Sequence, residues 1–465
     1  MASENGVSWL DETKIFSAMS RSRETDASLV REILAKALLL KGLSASDVIV
    51  LSSIRTPDLT EELFETARKV KEEIYGNRLV LFAPLYVSNL CRNECLYCAF
   101  RLSNKEVKRR ALNQEEIAQE TRILIKEGHK RLLVVAGEAY PQEGLKYVIK
   151  TIETIYGIKE GQGEIRRVNA NIAPLSLPEF KELKSAGIGT YQLFQETYHR
   201  ETYRAVHVGG VKTDFNWRVT AMDRAMEADI DDVGVGILFG LHDWRFEILA
   251  LLQHIEHLEE QFGVGCHTIS VPRIEPAVGS ELASNPPFPV TDEDFKKIVA
   301  VLRLAVPYTG IIMSTRETPN IRRETFALGV SQISAGSRTN PGGYSEDRDE
   351  RASQFQLGDH RPLSVVIKDI SELGYIPSFC TACYRLGRTG QDFMDLAKPG
   401  LIKEKCAPNA LSTFMEYLLD YAPEDTRLAG EKAVQRELDK MDPETRNVSR
   451  HLLAGVLSGK RDVYC

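Results

Sequence analysis

Six of the eight cysteines in this 465-residue chain fall into two widely separated triplets. The first triplet is Cys91, Cys95 and Cys98, spaced CxxxCxxC, and the second is Cys380, Cys383 and Cys406, spaced CxxCx22C. Three thiolates can hold three irons of a [4Fe–4S] cube, which leaves the fourth iron open to another ligand. Each triplet therefore predicts a cluster with one open iron. Zinc with a fourth ligand is the alternative for each, and His360 or Cys465 could supply that ligand to the second.

Composition and charge narrow the class of protein. The formal net charge of −7 argues against nucleic acid as the main partner, because phosphate binding needs a basic face. The opening residues MASENGVSWLDETK lack the basic start and apolar run of a secretory signal, and no run of 18 apolar residues predicts a membrane span. We therefore expect a cytoplasmic protein. In a reducing compartment, clustered cysteines indicate metal binding or catalysis more often than disulfides.

Strand-like runs alternate with helical patterns eight times in the middle of the chain. The predicted strands are 78–87, 131–138, 164–174, 190–196, 231–240, 266–276, 309–317 and 330–336. This alternation predicts an α/β fold with a parallel sheet, and eight units predict a closed (β/α)8 TIM barrel. Such a barrel carries its active site at the C-terminal ends of its strands, where polar residues gather in this sequence.

Three regions follow from this pattern. Residues 1–77 are predicted to be an N-terminal helical segment, and residues 78–365 the barrel. Residues 366–465 are predicted to form a mainly helical C-terminal appendage that carries the second cluster. Within the barrel, Asn169 and Asn171 lie two apart on the third strand and so share a face. They could bind a ligand at the barrel mouth or serve as structural hydrogen-bonding groups.

The first triplet directly follows the first predicted strand, and this arrangement resembles the radical S-adenosylmethionine superfamily. The resemblance implies that S-adenosylmethionine chelates the open iron through its amino and carboxylate groups and is cleaved to methionine and a 5′-deoxyadenosyl radical. It places Tyr97 at the adenine, Gly137 and Glu138 at the methionine ammonium, and Glu196 at the ribose hydroxyls. The family often has Gly-Gly-Glu where this chain has Ala136-Gly137-Glu138, so that match is partial.

The second triplet, placed after such a barrel, resembles the tyrosine-lyase maturases of [FeFe]-hydrogenase. The resemblance extends over the chain and includes QETYHRETYRAVH, HTISVPRIEPA and MSTRE. It implies cleavage of L-tyrosine at Cα–Cβ to p-cresol and dehydroglycine. Dehydroglycine then gives CO and CN⁻ at the second cluster, for an Fe(CO)2(CN)–cysteine synthon used in the hydrogenase H-cluster.

The same resemblance implies further residues, cofactors and partners. Ser314 and Arg316 are expected to bind tyrosine, since a guanidinium can clamp a carboxylate through two hydrogen bonds. His267 is expected to hold a fifth, "dangler" iron, which a free L-cysteine bridges to the second cluster in a [5Fe-5S]-type arrangement. The expected partners are L-tyrosine, L-cysteine, Fe(II), a reductant protein and other hydrogenase maturases.

Two other functions remain open at this point. The tyrosine lyase of thiamine biosynthesis, 2-iminoacetate synthase, shares the barrel chemistry but lacks the second triplet. A non-enzymatic iron–sulfur scaffold or carrier would use both triplets without cleaving S-adenosylmethionine.

Overall fold

Eight parallel strands close into a barrel in the computed structural model, which describes residues 7–20, 26–141, 143–346, 350–398 and 401–465. The strands are β1 (Arg78–Ser88), β2 (Arg131–Ala136), β3 (Arg167–Asn171), β4 (Tyr191–Glu196), β5 (Val233–Ile237), β6 (Thr268–Ser270), β7 (Gly310–Met313) and β8 (Val330–Ser334). Pairing of β8 with β1, with Gln332 opposite Val80, closes the barrel. The predicted α/β TIM barrel is therefore confirmed.

The sixth strand is much shorter than predicted. It spans Thr268–Ser270, whereas the sequence pattern predicted 266–276. Pro272 and Pro276 lack the backbone N–H that a sheet ladder requires, so regular pairing cannot continue through them. The strand begins at Thr268, so His267 lies just before β6, at the N-terminal end of the barrel.

Four helices precede the barrel, and further helices connect its strands. The N-terminal helices are Glu12–Ser20, Ala27–Ala37, Ala45–Ser52 and Pro57–Tyr75. The helices of the barrel region are Gln114–Lys126, Leu145–Gly157, Leu177–Ser185, Arg200–Val206, Phe215–Val219, Ala221–Glu227, Trp244–Phe262, Glu281–Ser284, Asp292–Ala305 and Pro319–Phe326. Short 3₁₀ turns lie at Val211–Thr213 and Glu350–Ala352, and short strands pair Glu94–Cys95 with His207–Gly209 and Lys159–Glu160 with Gly163–Glu164.

A local sequence signal explains where the helix Gln114–Lys126 begins. Asn113 accepts a hydrogen bond from the backbone N–H of Glu116 (2.9 Å), and the Glu116 carboxylate accepts one from the N–H of Asn113 (2.7 Å). This capping box starts the helix Gln114–Lys126. The helices Phe215–Val219 and Ala221–Glu227 are separated at Thr220.

The C-terminal appendage is joined to the barrel by a strand as well as by helices. Strand β9 (Ile376–Ser378) pairs in parallel with the beginning of β1, with Ile376 opposite Arg78. The helices that follow are Ala382–Arg385, Gly390–Ala397, Ile402–Asp420, Glu424–Lys440 and Pro443–Leu457, and Leu363–Glu372 precedes the strand. The appendage therefore lies under the N-terminal ends of the barrel strands. Within the described ranges, no helix is long and apolar enough to cross a membrane.

A buried ion-pair network fastens the appendage to the barrel. The Glu416 carboxylate accepts hydrogen bonds from the two terminal nitrogens of Arg166 (2.6 and 3.2 Å) and lies 3.5 Å from the Lys130 ammonium. Glu416 is 1% exposed, so its charge depends on these partners. We expect Glu416→Ala to lower the free energy of unfolding by about 3–5 kcal/mol, because Lys130 and Arg166 would lose their buried counter-charge and Arg166 would keep only the part-exposed Asp462, at 3.3 Å.

Anaerobic thermal or denaturant unfolding measures this effect. Glu431→Ala is a matched control, since Glu431 forms a half-exposed helical ion pair with Arg427 that contributes less than about 0.5 kcal/mol. Equal losses of stability in the two variants would contradict the assignment of Glu416 as an anchor.

Candidate active site

The two cysteine triplets lie at opposite ends of the barrel, each in its own cavity. The upper cavity, of about 180 Å³, is at the C-terminal ends of the strands and is lined by the first triplet. The lower cavity, of about 60 Å³, is at the N-terminal ends and is lined by the second triplet. Among the residues that the structure describes, none lines both cavities.

The first triplet is held in a loop that follows β1. Cys95 pairs with His207 in the small antiparallel ribbon, which fixes the middle of the loop. The backbone N–H of Phe100 points at the Cys98 sulfur (3.4 Å), and the Gln354 side-chain amide lies 3.7 Å from the same sulfur. These donors would stabilise a thiolate at this position.

The chemistry of the thiols fits a [4Fe–4S] cluster. Burial raises the pKa of Cys91 and Cys95, and raises the pKa of Cys98 to about 11, so the thiols need cationic irons to become thiolates. Among the described residues, no three His, Cys, Asp or Glu side chains converge on one metal ion. The three thiols line one cavity instead, as the ligands of a cluster with several irons would.

Glu138 lies beside the first triplet in a network of buried charges. It accepts hydrogen bonds from Arg218 (2.7 Å) and Asn93 (2.8 Å). Burial pushes the pKa of Glu138 upward, but the cations Arg218 and Lys212 outweigh this effect and lower it below its usual value. The carboxylate is therefore ionised and can face a ligand ammonium in the upper cavity.

Gly137 allows the end of β2 to approach the cluster loop. A Cβ atom at this position would lie 2.3 Å from the carbonyl oxygen of Leu90, so only glycine fits. Gly137 also lines the upper cavity.

Glu196 ends β4 in a left-handed backbone conformation (φ 73°), which is strained for a glutamate. Its carboxylate accepts a hydrogen bond from Lys212 (2.7 Å) and faces the upper cavity.

Glu247 holds the turn that follows β4. Its carboxylate accepts hydrogen bonds from the Thr197 hydroxyl and from the backbone N–H of Tyr198 (2.8 Å). Burial raises the pKa of Glu247 to about 8.

Tyr97 reaches the same cavity from the cluster loop. Its hydroxyl lies 2.8 Å from Nε2 of His207, whose Nδ1 is 2.9 Å from the carbonyl oxygen of Tyr203. A carbonyl can only accept, so Nδ1 carries the proton and Nε2 accepts from the tyrosine. Tyr97 is thus fixed on the wall of the cavity.

Ser314 and Arg316 follow β7 and line the upper cavity together. The Arg316 guanidinium stacks on the Phe355 ring at 3.3 Å, and the Ser314 hydroxyl accepts from the Arg316 backbone N–H at 3.3 Å. Of the carboxylates described, none lies within 4.0 Å of this guanidinium. A half-buried, unpaired cation beside the cluster loop is suited to a ligand carboxylate.

The two asparagines of β3 have different surroundings. Asn171 lines the upper cavity and donates a hydrogen bond to the carbonyl oxygen of Gln192 (2.8 Å). Asn169 lies deeper, does not line the cavity, and accepts from the backbone N–H of Thr190 (3.1 Å). Only Asn171 is therefore placed to contact a ligand at the barrel mouth.

The second triplet and His267 meet in the lower cavity. Burial raises the pKa of Cys380 to about 11. The Cys383 thiol donates a hydrogen bond to the Cys406 sulfur, which raises the pKa of Cys383 and lowers that of Cys406. Three thiols that line one cavity again suit a [4Fe–4S] cluster with an open iron.

His267 faces this cavity with both ring nitrogens near polar groups. Nε2 is 3.4 Å from the Tyr384 hydroxyl and Nδ1 is 3.5 Å from the Asp232 carboxylate. Burial lowers the pKa of His267, so the imidazole is neutral and can serve as a ligand.

The alternative fourth ligands of the second triplet lie elsewhere. Neither His360 nor Cys465 lines the lower cavity. Cys465 is half-buried, and its backbone is hydrogen-bonded to the side chains of Asn409 and Arg388.

Sequence reasoning missed several residues in and beside the upper cavity. Lys212, Arg218 and His207 lie in ordinary-looking helical or turn segments, and Gln354 lies in a long polar loop. Nothing in a single sequence distinguishes a buried lysine or arginine from one on a solvated face. The unusual segment VHVGGVK, with its adjacent glycines, was the one available sign of a tight structure here.

Comparisons with known proteins agree with this geometry. Residues 85–255 match the radical SAM superfamily, and residues 270–376 match the biotin and thiamin synthesis associated domain. A crystal structure of HydG, described as a maturase of the [FeFe]-hydrogenase, is 48% identical in sequence, with a TM-score of 0.95 and coverage of 99% of this chain and 100% of that chain. HydG from Carboxydothermus hydrogenoformans is 42% identical, with a TM-score of 0.84 over 96% of this chain and 97% of that one.

A curated relative covers less of the chain. The 2-iminoacetate synthase of Salmonella typhimurium is 32% identical over 357 residues, which are 77% of this chain and 92% of that protein. The HydG structures, in contrast, extend over both cavities and the C-terminal appendage. The chain belongs to the radical S-adenosylmethionine superfamily, in its HydG-like group.

Proposed function

We propose that the chain is a radical S-adenosylmethionine carbon–carbon lyase of [FeFe]-hydrogenase maturation. It cleaves L-tyrosine to p-cresol and dehydroglycine, and converts dehydroglycine to CO and CN⁻ for an Fe(CO)2(CN)–cysteine synthon. The observation that carries this proposal is the pair of thiol-lined cavities at opposite ends of one barrel. A lyase that released dehydroglycine would need only the upper one.

The upper cavity would hold the first cluster and S-adenosylmethionine, which supply the radical that begins cleavage. The first triplet would bind the cluster. Glu138 would accept a hydrogen bond from the methionine ammonium, and Glu196 from the ribose hydroxyls. Tyr97 and Asn171 would contact the other polar groups of S-adenosylmethionine. Lys212 and Arg218 hold the two carboxylates in place through ion pairs of 2.7 Å each.

Tyrosine would bind against the opposite wall of the same cavity. The Arg316 guanidinium would take its carboxylate in a bidentate contact, and Ser314 would donate a further hydrogen bond. Glu275 lines the cavity near Arg316 and is placed to accept from the tyrosine ammonium. The enclosed barrel keeps water from reactive products, as such chemistry requires.

The lower cavity would receive the fragment. Cys380, Cys383 and Cys406 would hold the second [4Fe–4S] cluster. His267 would hold Fe(II), the metal cargo of the reaction, together with L-cysteine. Three guanidiniums line this cavity against one carboxylate: Arg78, Arg131 and Arg388, with Asp232. This excess of positive charge favours anions such as CN⁻ and carboxylates.

Anaerobic reconstitution with iron and sulfide tests the proposal. The loaded protein would be incubated with S-adenosylmethionine, dithionite and L-tyrosine, and p-cresol and CO measured together. Both products are expected. p-Cresol without CO from fully loaded protein would favour 2-iminoacetate synthase, and intact S-adenosylmethionine would favour a scaffold. A reductant protein, other maturases and a cytoplasmic location belong to the same proposal.

Tyrosine binding is expected to depend on pH through Glu275. Burial and the charge of Glu317 raise the pKa of Glu275 to about 7. The carboxylate is therefore neutral below this pH and becomes able to hold the tyrosine ammonium above it. We expect kcat/KM for tyrosine to rise between pH 6 and 8 by about 3- to 10-fold. Glu275→Gln should flatten this rise, and an unchanged profile in the variant would exclude Glu275 as its source.

A further inference from the structure

The two cavities are separated by a thin layer of side chains in the middle of the barrel. On β1, β7 and β8, inward residues two apart line different cavities. Val80, Gly310 and Gln332 line the lower cavity, and Phe82, Ile312 and Ser334 line the upper one. Residues two apart on a strand are about 7 Å apart, so the partition is one side chain thick.

This layer alternates polar residues with glycines across five adjacent strands. A Cβ on Gly234 would lie 2.5 Å from the Thr268 hydroxyl and 2.9 Å from Cγ of Gln192. A Cβ on Gly310 would lie 2.9 Å from the Gln332 amide nitrogen and 3.3 Å from Cγ2 of Thr268. The side chains of Gln192, Thr268 and Gln332 thus fill the space that the two glycines leave.

The polarity of the layer is unusual for its position. The inner layers of such barrels are filled mainly by branched apolar residues from alternate strands. Here β4, β6 and β8 supply two amides and a hydroxyl instead. The three side chains are 3%, 2% and 9% exposed for Gln192, Thr268 and Gln332 respectively.

These buried polar groups lack protein partners. The Thr268 hydroxyl oxygen is enclosed and has no hydrogen-bond partner. The side-chain amides of Gln192 and Gln332 form no hydrogen bond to any residue that the structure describes, and these two residues line the upper and the lower cavity respectively. An unpaired buried polar group costs about 1–3 kcal/mol, which an apolar side chain would avoid. A ligand that passes through the layer would supply the missing hydrogen bonds.

We propose that Gln192, Thr268 and Gln332 form a binding station for a small, planar polar molecule that moves from the upper to the lower cavity. Its ligand class is a two-carbon imino or carbonyl acid. The station offers donors and acceptors without a full charge, so it lowers the barrier to passage without trapping an anion. The guanidiniums of the lower cavity then draw the carboxylate onward. The identity of the molecule rests on the proposed function.

Gln332→Leu is the decisive variant, because it separates transfer from stability. Leucine has a similar volume and needs no hydrogen bond, so thermal stability should stay equal or rise. The molar ratio of CO to p-cresol should fall by about fivefold or more, with the missing fragment appearing as glyoxylate in solution. Gln253→Leu is the matched control: its side chain accepts from the backbone N–H of Asp11 at a surface helix, so stability should fall and the ratio stay unchanged.

Crystals soaked with glyoxylate give a readout that does not depend on activity. Wild-type protein should show glyoxylate between Gln332 and Thr268, and Gln332→Leu should not. An unchanged product ratio in Gln332→Leu overturns the inference, as does the absence of glyoxylate from this layer in wild type. Glyoxylate bound at crystal concentration only, with an unchanged ratio, also overturns it. Absence of p-cresol from wild type would instead refute the proposed function. The soaked crystals would then be the test of whether the three side chains bind such a molecule.

Discussion

A Cys380→Ala/Cys383→Ala variant is expected to keep producing p-cresol while its CO formation falls to background. The two cysteines line only the lower cavity, and the first triplet lies at the other end of the barrel. Their loss should remove one cluster, so about four of about eight cluster irons should disappear. Iron content, p-cresol and CO should be measured on the same sample, to test whether p-cresol formation continues without CO formation.

Cys465→Ala is the matched control for this variant. Cys465 is a free cysteine of the same appendage that does not line the lower cavity. Its iron content and both products should equal those of wild type. Loss of p-cresol in the double variant, with the first cluster intact, would show that the two cavities are not chemically separable.

The barrel could be predicted from the sequence because its signals are local and repeated. Eight apolar runs alternate with helical patterns, and each strand prediction found a strand. The cysteine spacing was equally informative, since thiolates close in sequence can share a cluster wherever the loop lies. His267 could be assigned to the second triplet only through the resemblance, because 113 residues separate it from Cys380 and closure of the barrel brings them together.

What could not be predicted depends on long-range burial. Arg218 and Lys212 support Glu138 and Glu196 from outside the strands, and helical positions of this kind carry solvated charges in most proteins. The polar layer of Gln192, Thr268 and Gln332 could not be predicted from the sequence either. A glutamine in a strand pattern predicts an outward face, and only the register of neighbouring strands shows that these amides point inward.

Arg316→Gln is expected to raise the KM for tyrosine by about 10- to 100-fold. A hydrogen-bonded contact with a charged group contributes about 1.5–3 kcal/mol, and tyrosine would lose its only proposed guanidinium partner. The Phe355 stacking contact would also weaken. Cleavage of S-adenosylmethionine without tyrosine should persist, because Glu138, Glu196 and the first triplet do not depend on Arg316.

The comparison of KM with kcat identifies the role of this residue. Arg316→Lys keeps the charge but loses the planar fork, so its KM should lie between those of wild type and Arg316→Gln. Arg323→Gln is the control, since Arg323 is exposed and pairs with Asp369 away from both cavities. If Arg316→Gln lowered kcat at saturating tyrosine and left KM unchanged, Arg316 would act on the reaction step and not on the substrate carboxylate. Because the cation stands unpaired at the wall of the upper cavity, we expect the effect in KM.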